Sequence, residues 1–279
     1  MRILLTGRDG QVGWELERVL PALGEVIATD RGTLDLAELD ATRRTVRDTR
    51  ADVIVNAAAY TAVDKAELEP ALAMRINAEA PGVLAEEAKR SGALLVHYST
   101  DYVFSGEKPA PYVESDAPNP VNAYGRSKLA GERAILASGC RSLILRTSWV
   151  YAPRGRNFFL TIARKARAGE TLRVVADQRG VPTTARFLAV HTVELIQKGV
   201  EGLFNLVPGG STSWHGFASA IVTAIDAKVE VIAIGSAEFP TPARRPANSV
   251  LDNRAVGLCL GRTLHEWPGL LAECVSASG

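Results

Sequence analysis

The sequence lacks most features that would point to a secreted, membrane or nucleic-acid-binding protein. It has only three cysteines, which are far apart and show no metal-ligand spacing (Cys140, Cys259 and Cys274), so a reducing compartment is expected rather than a disulfide framework. The net charge of +1 offers no basic surface to nucleic acid or to an anionic membrane. No apolar run is long enough to span a membrane, and the N-terminal run is too short for a signal peptide. We expect a soluble, cytoplasmic protein.

Internal repeats and low-complexity tracts are also missing. The 279 residues are 47% hydrophobic and 23% charged, which is an ordinary globular balance. Short apolar runs alternate with helix-like segments up to Thr147, and this alternation predicts an α/β fold with a doubly wound, Rossmann-type parallel sheet. Motifs become sparse after Thr147, so we expect a smaller C-terminal α/β part that binds substrate.

The predicted division of the chain is discontinuous. We assign residues 1–150 to a dinucleotide-binding domain, with a later contribution from 183–207. Residues 151–182 and 208–279 are assigned to the substrate-binding domain. The chain is therefore expected to cross between the two parts more than once.

A glycine-rich turn follows the first predicted strand, Arg2–Thr6. Gly7 permits a tight turn, Gly10 lets the backbone approach a diphosphate, and Gly13 allows close packing of the helix on the strand. The diphosphate would then sit at the N-terminus of the helix that follows. The spacing is G-x-x-G-x-x-G, and its place between a strand and a helix predicts a dinucleotide site.

The second predicted strand ends in Asp30, which bears on the choice of cofactor. An acid at this place accepts hydrogen bonds from the adenosine ribose and repels a 2′-phosphate, which favours NADH. Arg31 follows directly and suits a 2′-phosphate, so NADPH stays open. Asp35 and Leu36 fall in the next loop, where chains of this fold often contact the adenine, although Asp35 is equally consistent with a turn.

The stretch 98–132 contains the residues that we expect to carry the chemistry. Ser99 and Thr100 follow the fourth predicted strand, whereas Tyr124 and Lys128 lie at i and i+4 on one face of the next helix. An ammonium near a phenol lowers the phenol pKa from its usual value of about 10. A phenol of this kind can donate its proton to a carbonyl oxygen as that oxygen becomes an alkoxide. We predict Thr100, Tyr124 and Lys128 as catalytic residues.

These motifs together resemble the extended short-chain dehydrogenase/reductases, and among them the dTDP-4-dehydrorhamnose reductase branch. The segments that carry the closer resemblance are spread from Gly10 to Ser249 and read GQVGWEL, VIVNAAAYTAVDKAE, HYSTDYVFSG, NAYGRSKLAGE, LRTSWVYA, ADQRGVPT and PTPARRPANS. The resemblance implies an NAD(P)H-dependent oxidoreductase of nucleotide-sugar biosynthesis. It would reduce the C4 ketone of dTDP-4-dehydro-L-rhamnose to give dTDP-L-rhamnose.

The resemblance also implies which residues touch the ligands. Those implied for the cofactor are Gly10, Gln11, Val12, Asp30, Asp35, Leu36, Ala59, Tyr60, Thr61, Tyr98, Tyr124 and Lys128. Those implied for the sugar nucleotide are Thr100, Asp101 and Trp149.

Three features are open to two interpretations each. Trp149 suits either stacking on the substrate or packing. Arg245, in the rigid basic loop 240–246, suits either the diphosphate, because a guanidinium matches phosphate geometry, or a surface charge. The acidic loop 107–119 either covers the substrate or only connects two elements.

One departure from the resembled family concerns a metal. Members with a metal-linked dimer use a glutamate in the GQVGWEL segment, where this chain has Glu15, and acids in a later helix. That helix here begins at Ala185 and has Arg186 and Val190 where acids would be expected. Because a hard cation needs several oxygen ligands, Mg²⁺ is doubtful. We predict no structural metal and either a monomer or a differently built homodimer.

Two other functions stay open. A nucleotide-sugar epimerase or dehydratase of the same fold would hold NAD tightly and recycle it. A non-catalytic NAD(P)-binding regulatory subunit would need no catalytic group, and Thr100, Tyr124 and Lys128 argue against it.

Overall fold

The structure is a computed structural model and describes residues 1–277. Its strands are β1 (Arg2–Thr6), β2 (Glu25–Thr29), β3 (Val53–Asn56), β4 (Leu94–Thr100), β5 (Ser142–Thr147), β6 (Val150–Tyr151), β7 (Leu172–Val175), β8 (Arg179–Gly180), β9 (Thr183–Thr184), β10 (Gly202–Asn205), β11 (Thr212–Ser213) and β12 (Val231–Ile234). Its α-helices are α1 (Gln11–Val19), α2 (Leu39–Thr49), α3 (Val63–Leu68), α4 (Pro70–Met74), α5 (Ala80–Ser91), α6 (Ala123–Ser138), α7 (Phe158–Arg167), α8 (Ala185–Gln197), α9 (Trp214–Ala224), α10 (Arg254–Leu260) and α11 (Trp267–Ser276).

A parallel sheet of six strands forms the centre of the molecule, in the order β10-β5-β4-β3-β1-β2. One face is covered by α1 and α8, and the other by α2, α5 and α6. Because both faces are covered, β3, β4 and β5 are buried along their whole length. The predicted doubly wound, Rossmann-type α/β fold is confirmed.

The strand order reverses between β1 and β3. The chain leaves β1 for β2 on one side and returns to β3 on the other. In open parallel sheets the crevice beyond the carboxyl ends at such a reversal is where ligands bind. The glycine turn after β1 and the Ala57–Thr61 segment after β3 meet at this crevice.

The segment 68–91 is not the single helix that its sequence pattern predicts. It consists of α4, a π-helical turn over Arg75–Glu79 and α5. The π turn contains Asn77, which is buried, and Gly131 of α6 comes so close to the Asn77 carbonyl that a Cβ there would collide with it. Bulges of this kind frequently lie at functional sites.

A second, smaller core lies beside the sheet. It joins α7, α9 and α11 through Phe159, Phe217 and Leu271, around the parallel pair β7 and β12. Helices α10 and α11 also contact the core of the main sheet, through residues such as Val256 and Leu270. The proposed domain boundaries themselves stay a prediction.

Within residues 1–277, no helix has both the length and the apolar character needed to cross a membrane.

Candidate active site

A cavity of about 340 Å³ opens at the carboxyl ends of the central strands. Thr100 at the end of β4, Thr147 at the end of β5 and Tyr124 in the first turn of α6 all line it. Its other lining residues are Gln11, Thr61, Val63, Ser99, Asp101, Tyr102, Ser148, Trp149, Val150, Tyr151, Arg156, Asn157, Phe158, Trp214 and Phe217. The structure thus brings Thr100, Asp101, Tyr124 and Trp149 to one space.

Tyr124 is held by the way in which α6 begins. The side chain of Asn122 caps the helix by accepting a hydrogen bond from the Gly125 N–H at 2.7 Å. The side-chain nitrogen of Asn122 donates to the Arg244 carbonyl at 2.8 Å, which connects α6 to the loop 240–246. The ring of Tyr102 lies edge-on to Tyr124, with the centroids 6.0 Å apart.

Burial governs the ionisation of the groups around Tyr124. It raises the Tyr124 pKa to about 12, although a hydrogen bond with Thr100 opposes the rise. Burial also raises the Asp101 pKa to about 7, and the Asp101 carboxylate accepts a hydrogen bond from the Thr100 hydroxyl at 2.9 Å. The lowering of the Tyr124 pKa that its spacing from Lys128 predicts is thus not found, because burial dominates. In this environment Tyr124 is a protonated phenol that can donate.

Lys128 is buried one turn after Tyr124, with 2% of its surface exposed. Its Nζ donates to the Tyr98 carbonyl at 2.6 Å and lies 3.2 Å from Nε2 of His97. Burial lowers the Lys128 pKa to about 8, against the opposing charge of Glu132. The ammonium therefore exists at neutral pH and is lost at moderately alkaline pH.

The glycine turn has the geometry that a close backbone approach requires. Gly7 has a φ of +75°, and a Cβ there would lie 2.7 Å from the backbone nitrogen of Ala58, so no other residue fits. Gly10 is the N-cap of α1, and no side-chain hydrogen bond caps this helix. The first backbone N–H groups of α1 are therefore available to a ligand. Val12 and Gly13 belong to that first turn.

Gln11 connects this turn to the segment after β5. Its side-chain amide donates to the Val150 carbonyl at 3.4 Å and accepts from Asn157 at 2.7 Å. Asn157 in turn caps α7 by accepting from the Leu160 N–H. The predicted cofactor turn and the second core are therefore linked through one pair of amide side chains.

Asp30 lies at the end of β2, and the Thr33 N–H and hydroxyl both donate to its carboxylate. These hydrogen bonds lower the Asp30 pKa, so the group is charged. Asp35 accepts from the Ala37 N–H at 2.9 Å, as a turn residue does, and also pairs with Arg31 at 3.2 Å. Leu36 is buried.

The turn Ala59–Thr61 is fixed by Asn77 of the π turn. The side-chain amide of Asn77 accepts from the Tyr60 N–H at 2.8 Å and donates to the Tyr60 carbonyl at 2.9 Å. The Tyr60 hydroxyl donates to Glu69, and Thr61 lines the cavity. Asn77 therefore orients this turn.

Tyr98 points away from the cavity. Its hydroxyl is hydrogen bonded to Thr192 at 2.7 Å, within the core under α8. Only its carbonyl reaches the site, through Lys128. Any contact between Tyr98 and a cofactor is thus a main-chain contact in this arrangement.

Trp149 forms a packed wall of the cavity. Its ring stacks on Trp214 with centroids 3.6 Å apart and 8° between planes, and Gly180 lies so close to it that a Cβ there would collide. Its φ of 45° is in the left-handed region, which costs a residue with a side chain about 1–2 kcal/mol. Such strain is typical of functional sites. Phe158 packs beside Trp214 and extends this aromatic wall.

Arg245 does not line this cavity. Its guanidinium forms a two-point ion pair with Asp64 at the start of α3, one contact being 2.8 Å long, and it lines a neighbouring cavity of about 400 Å³ with Arg244. The pair connects the loop 240–246 to α3.

Glu15 and Arg186 form an ion pair at 3.4 Å, with the glutamate buried and the arginine exposed. The arginine thus provides the positive charge opposite Glu15. Residues 1–277 contain no group of three or more histidine, cysteine, aspartate or glutamate side chains that could hold a metal ion. The expectation that no structural metal binds stays a prediction.

The acidic loop 107–119 packs against residues outside the main cavity. Tyr112 is buried, stacks on Phe104 with centroids 4.2 Å apart and pairs with Leu251. Glu114 accepts from the Asn205 N–H. Of the described residues, those that line the main cavity come from outside this loop, which supports its interpretation as a connection.

Sequence reasoning missed Asn56 and His97 and left open whether Asn77 is buried or exposed. Asn56 ends β3, His97 lies within β4, and Asn77 lies inside a helical segment. All three are buried. The signal that could have identified them is a polar residue at a position where the strand or helix pattern requires an apolar one.

Comparison with known proteins gives one consistent result. A sequence model of the RmlD substrate binding domain family matches residues 1–278. A curated dTDP-4-dehydrorhamnose reductase from Burkholderia thailandensis is 47% identical, over 99% of this chain and 98% of the relative.

Two solved structures agree with this match. A dTDP-4-dehydrorhamnose reductase from Clostridium acetobutylicum has a TM-score of 0.96 at 39% identity, covering 99% of both chains. The enzyme of the same name from Bacillus anthracis, solved in complex with NADP, has a TM-score of 0.95 at 36% identity, again over 99% of both chains.

Proposed function

The chain belongs to the RmlD substrate binding domain family, and from this membership we propose that it is an NAD(P)H-dependent reductase of dTDP-4-dehydro-L-rhamnose. The product is dTDP-L-rhamnose. The observation that carries the proposal is that Thr100 and Tyr124 line one cavity, with Lys128 anchored to the Tyr98 carbonyl one helical turn after Tyr124. The chain also matches reductases of this name from end to end.

The residues present fit a dinucleotide. Gly7 approaches the Ala58 backbone as only a glycine can, and the first turn of α1 offers uncapped N–H groups to a diphosphate. The turn over Ala59–Thr61 would lie along the cofactor, and the Lys128 ammonium would hold the nicotinamide ribose. When bound, NAD(P)H supplies the hydride that the substrate C4 receives.

Tyr124 is the proton donor in this proposal. Its hydroxyl stays protonated because burial raises its pKa to about 12. As negative charge develops on the C4 oxygen, Tyr124 gives up its proton, and the nearby Lys128 ammonium stabilises the phenolate electrostatically. The Thr100 hydroxyl, which donates to Asp101 in this structure, would turn to donate to the same oxygen and position it.

The sugar nucleotide is proposed to contact Asp101 and the wall formed by Trp149 and Trp214. Arg245 is open to two interpretations, a ligand of the diphosphate or a surface charge. Its guanidinium is paired with Asp64, and its binding to the diphosphate stays a prediction. Arg156 lines the main cavity, and we add it as a second guanidinium for the diphosphate.

NADH is proposed as the preferred cofactor. The charged Asp30 lies where the adenosine ribose would be bound and would repel a 2′-phosphate. Arg31, the group that could favour NADPH, is instead paired with Asp35.

The ion pair between Glu15 and Arg186 supports an assembly that needs no divalent cation. We propose a monomer or a homodimer that is stable without a metal.

The proposed function is tested by following NADH absorbance with dTDP-6-deoxy-L-lyxo-4-hexulose, with NADPH and the UDP-linked analogue in parallel. One NADH consumed per dTDP-L-rhamnose formed is the expected result. Isomerised or dehydrated sugar without net NADH consumption, together with oxidised cofactor co-purifying with the protein, would identify an epimerase or dehydratase instead. Stable binding to another enzyme, with no turnover of any keto sugar, would identify a regulatory subunit.

A further inference from the structure

A row of four buried polar side chains crosses the sheet beneath the candidate active site. The Thr6 hydroxyl of β1 lies 2.7 Å from Oδ1 of Asn56 on β3. The Asn56 amide lies 3.0 Å from Nδ1 of His97 on β4, and Nε2 of His97 lies 3.2 Å from Nζ of Lys128 on α6. None of the four is more than 2% exposed.

Buried positions of a sheet that is covered on both faces are ordinarily apolar. Thr6 and Asn56 instead end β1 and β3 after runs of leucine, valine and isoleucine, and His97 follows the apolar residues 94–96 in β4. A buried polar group is costly unless every hydrogen bond is made. Apolar residues of similar volume would fill the same space. The row therefore requires an explanation beyond packing, and Lys128, at its end, belongs to the proposed catalytic group.

The donors and acceptors that these side chains offer determine the direction of each hydrogen bond in the row. A lysine ammonium has three donors and no acceptor, so Nε2 of His97 must accept from it. The imidazole proton is then on Nδ1 and needs an acceptor, which the carboxamide oxygen of Asn56 supplies. A half-turn of this amide exchanges its oxygen and nitrogen without moving any other atom. The Thr6 hydroxyl completes the row because it can donate or accept.

We propose that His97, oriented by Asn56 and Thr6, is a positioning residue that accepts a hydrogen bond from Lys128 and thereby keeps its ammonium charged and fixed in place one helical turn after Tyr124. This inference rests on the proposed reductase function, because it assigns to Lys128 the role that it has in that reaction. The second acceptor of Lys128, the Tyr98 carbonyl, belongs to the backbone and cannot be altered by substitution.

The charged and titratable groups around Lys128 are consistent with this role. On its own helix, Tyr124 lies one turn before it and Glu132 one turn after it, and Glu132 is bound to Arg146 of β5 by a buried two-point ion pair. His97 of β4 is kept neutral because burial, and then the charge of Lys128, hold its pKa well below the usual range. Asp101 lies on the cavity side. His97 is thus the neutral acceptor among these groups.

The test compares two substitutions at His97. His97→Leu removes the acceptor at similar volume, whereas His97→Gln keeps a carbonyl oxygen near the position of Nε2. His191→Leu is the matched control, because His191 is also buried but its ring bonds only the Phe187 carbonyl in α8. The pH profile of kcat/KM, the NADH dissociation constant and the thermal midpoint are measured for each variant.

For His97→Leu we expect kcat to fall about tenfold, the size expected for loss of one hydrogen bond to a charged group. Because the ammonium loses an acceptor, the alkaline limb of the profile should move to lower pH by about one unit. His97→Gln and His191→Leu should keep the wild-type limb. If His97→Gln lost as much activity as His97→Leu and neither moved the limb, His97 would be a packing residue and the proposal would be overturned.

A second measurement does not depend on turnover. NMR of protein labelled at lysine Cε, with the Lys128 signal assigned by its loss in Lys128→Met, reports the Lys128 titration directly. His97→Leu should lower that titration midpoint, and an unchanged midpoint in a folded variant would overturn the proposal. A wild-type protein that bound NADH but reduced no keto sugar would contradict the proposed function alone, since the titration would still decide the role of His97.

Discussion

The ammonium nitrogen of Lys128 lies 2.6 Å from the carbonyl oxygen of Tyr98, so the lysine of the Tyr-x-x-x-Lys motif is fastened to the strand that ends in Thr100. Tyr124 lies one helical turn from Lys128, and Thr100 lies two residues beyond Tyr98. The hydrogen bonds from Lys128 to β4, at the Tyr98 carbonyl and at Nε2 of His97, therefore hold α6 against the strand that ends in Thr100. Replacing Thr100, Tyr124 or Lys128 should lower kcat by a larger factor than it lowers the stability of the fold.

Replacing Tyr124 with phenylalanine removes the proposed proton donor. Positioned acid catalysis contributes about 10²–10⁴-fold, and we expect Tyr124→Phe to lose this much in kcat while it still binds NADH. Tyr112→Phe is the control, since its hydroxyl lies outside this cavity, where it accepts from the Gly106 and Lys108 N–H groups, and it should keep wild-type turnover. Near-normal turnover of Tyr124→Phe would remove Tyr124 from the mechanism.

The pH dependence of kcat/KM should show the titration of Lys128. Burial disfavours the charged form and lowers the Lys128 pKa to about 8, so the ammonium is present below this pH and lost above it. We therefore expect kcat/KM, which reports ionisations of the free enzyme, to fall as the pH rises through this value. A rate that stayed constant to about pH 10, the usual range of a lysine, would contradict the assignment.

Gly180 gives a way to disturb the aromatic wall from behind. A Cβ at this position would collide with the ring of Trp149, so Gly180→Ala should displace Trp149 from its stack on Trp214. We expect KM for the sugar nucleotide to rise about tenfold, which is the effect of about 1.4 kcal/mol of lost binding, with NADH binding unchanged. The matched control is Gly269→Ala in α11, where a Cβ meets nothing within 4 Å. Equal KM values for the two variants would separate Trp149 from substrate binding.

Asp30 should control the choice between the two cofactors. Asp30→Ala removes both the acceptor for the ribose hydroxyls and the charge that repels a 2′-phosphate. We expect the ratio of kcat/KM for NADH over NADPH to fall about tenfold or more, as for a lost hydrogen bond to a charged group. Exposed Asp40→Ala at the start of α2 is the control for a general change of charge. An unchanged ratio in Asp30→Ala would mean that another group reads the 2′-position.

Removal of divalent cations should leave the assembly intact. Because Arg186 pairs with Glu15, sedimentation with and without EDTA should give the same mass, and activity should not change. An Arg186→Gln variant tests whether that pair, rather than a cation, supports the surrounding structure. It should lower the thermal midpoint, because the buried Glu15 carboxylate would lose the positive charge opposite it. Dissociation of a dimer by EDTA would show that a metal is present after all.

The sequence predicted the central sheet well because periodicity and glycine spacing are local signals. Strand β1 has the predicted bounds, β2 ends one residue before Asp30, and α8 begins at Ala185 as predicted. The break in 68–91 was not predictable, because it follows from the contact between Asn77 and Gly131, which are distant in the chain. Thr100 ends β4 and Tyr124 lies in the first turn of α6, the helix that connects β4 to β5, so the topology places both at the same edge of the sheet.

Other features of the site depend on long-range partners that no local pattern reveals. Arg245 binds Asp64 across 181 residues, and Trp149 stacks on Trp214 in a helix of the second core. The role of His97 follows only when Asn56 and Lys128 are seen on either side of its ring. Such contacts connect separate strands and helices, so the structure was needed to identify them.

The most direct measurement of the central claim uses NADH deuterated at C4 of the nicotinamide. With dTDP-4-dehydro-L-rhamnose as substrate, NMR of the sugar should show one deuterium at C4 for each NADH oxidised in wild type, and the rate should collapse in Tyr124→Phe. Unlabelled C4, or label in a sugar formed without net NADH oxidation, would contradict the account of this chain as a C4 ketone reductase.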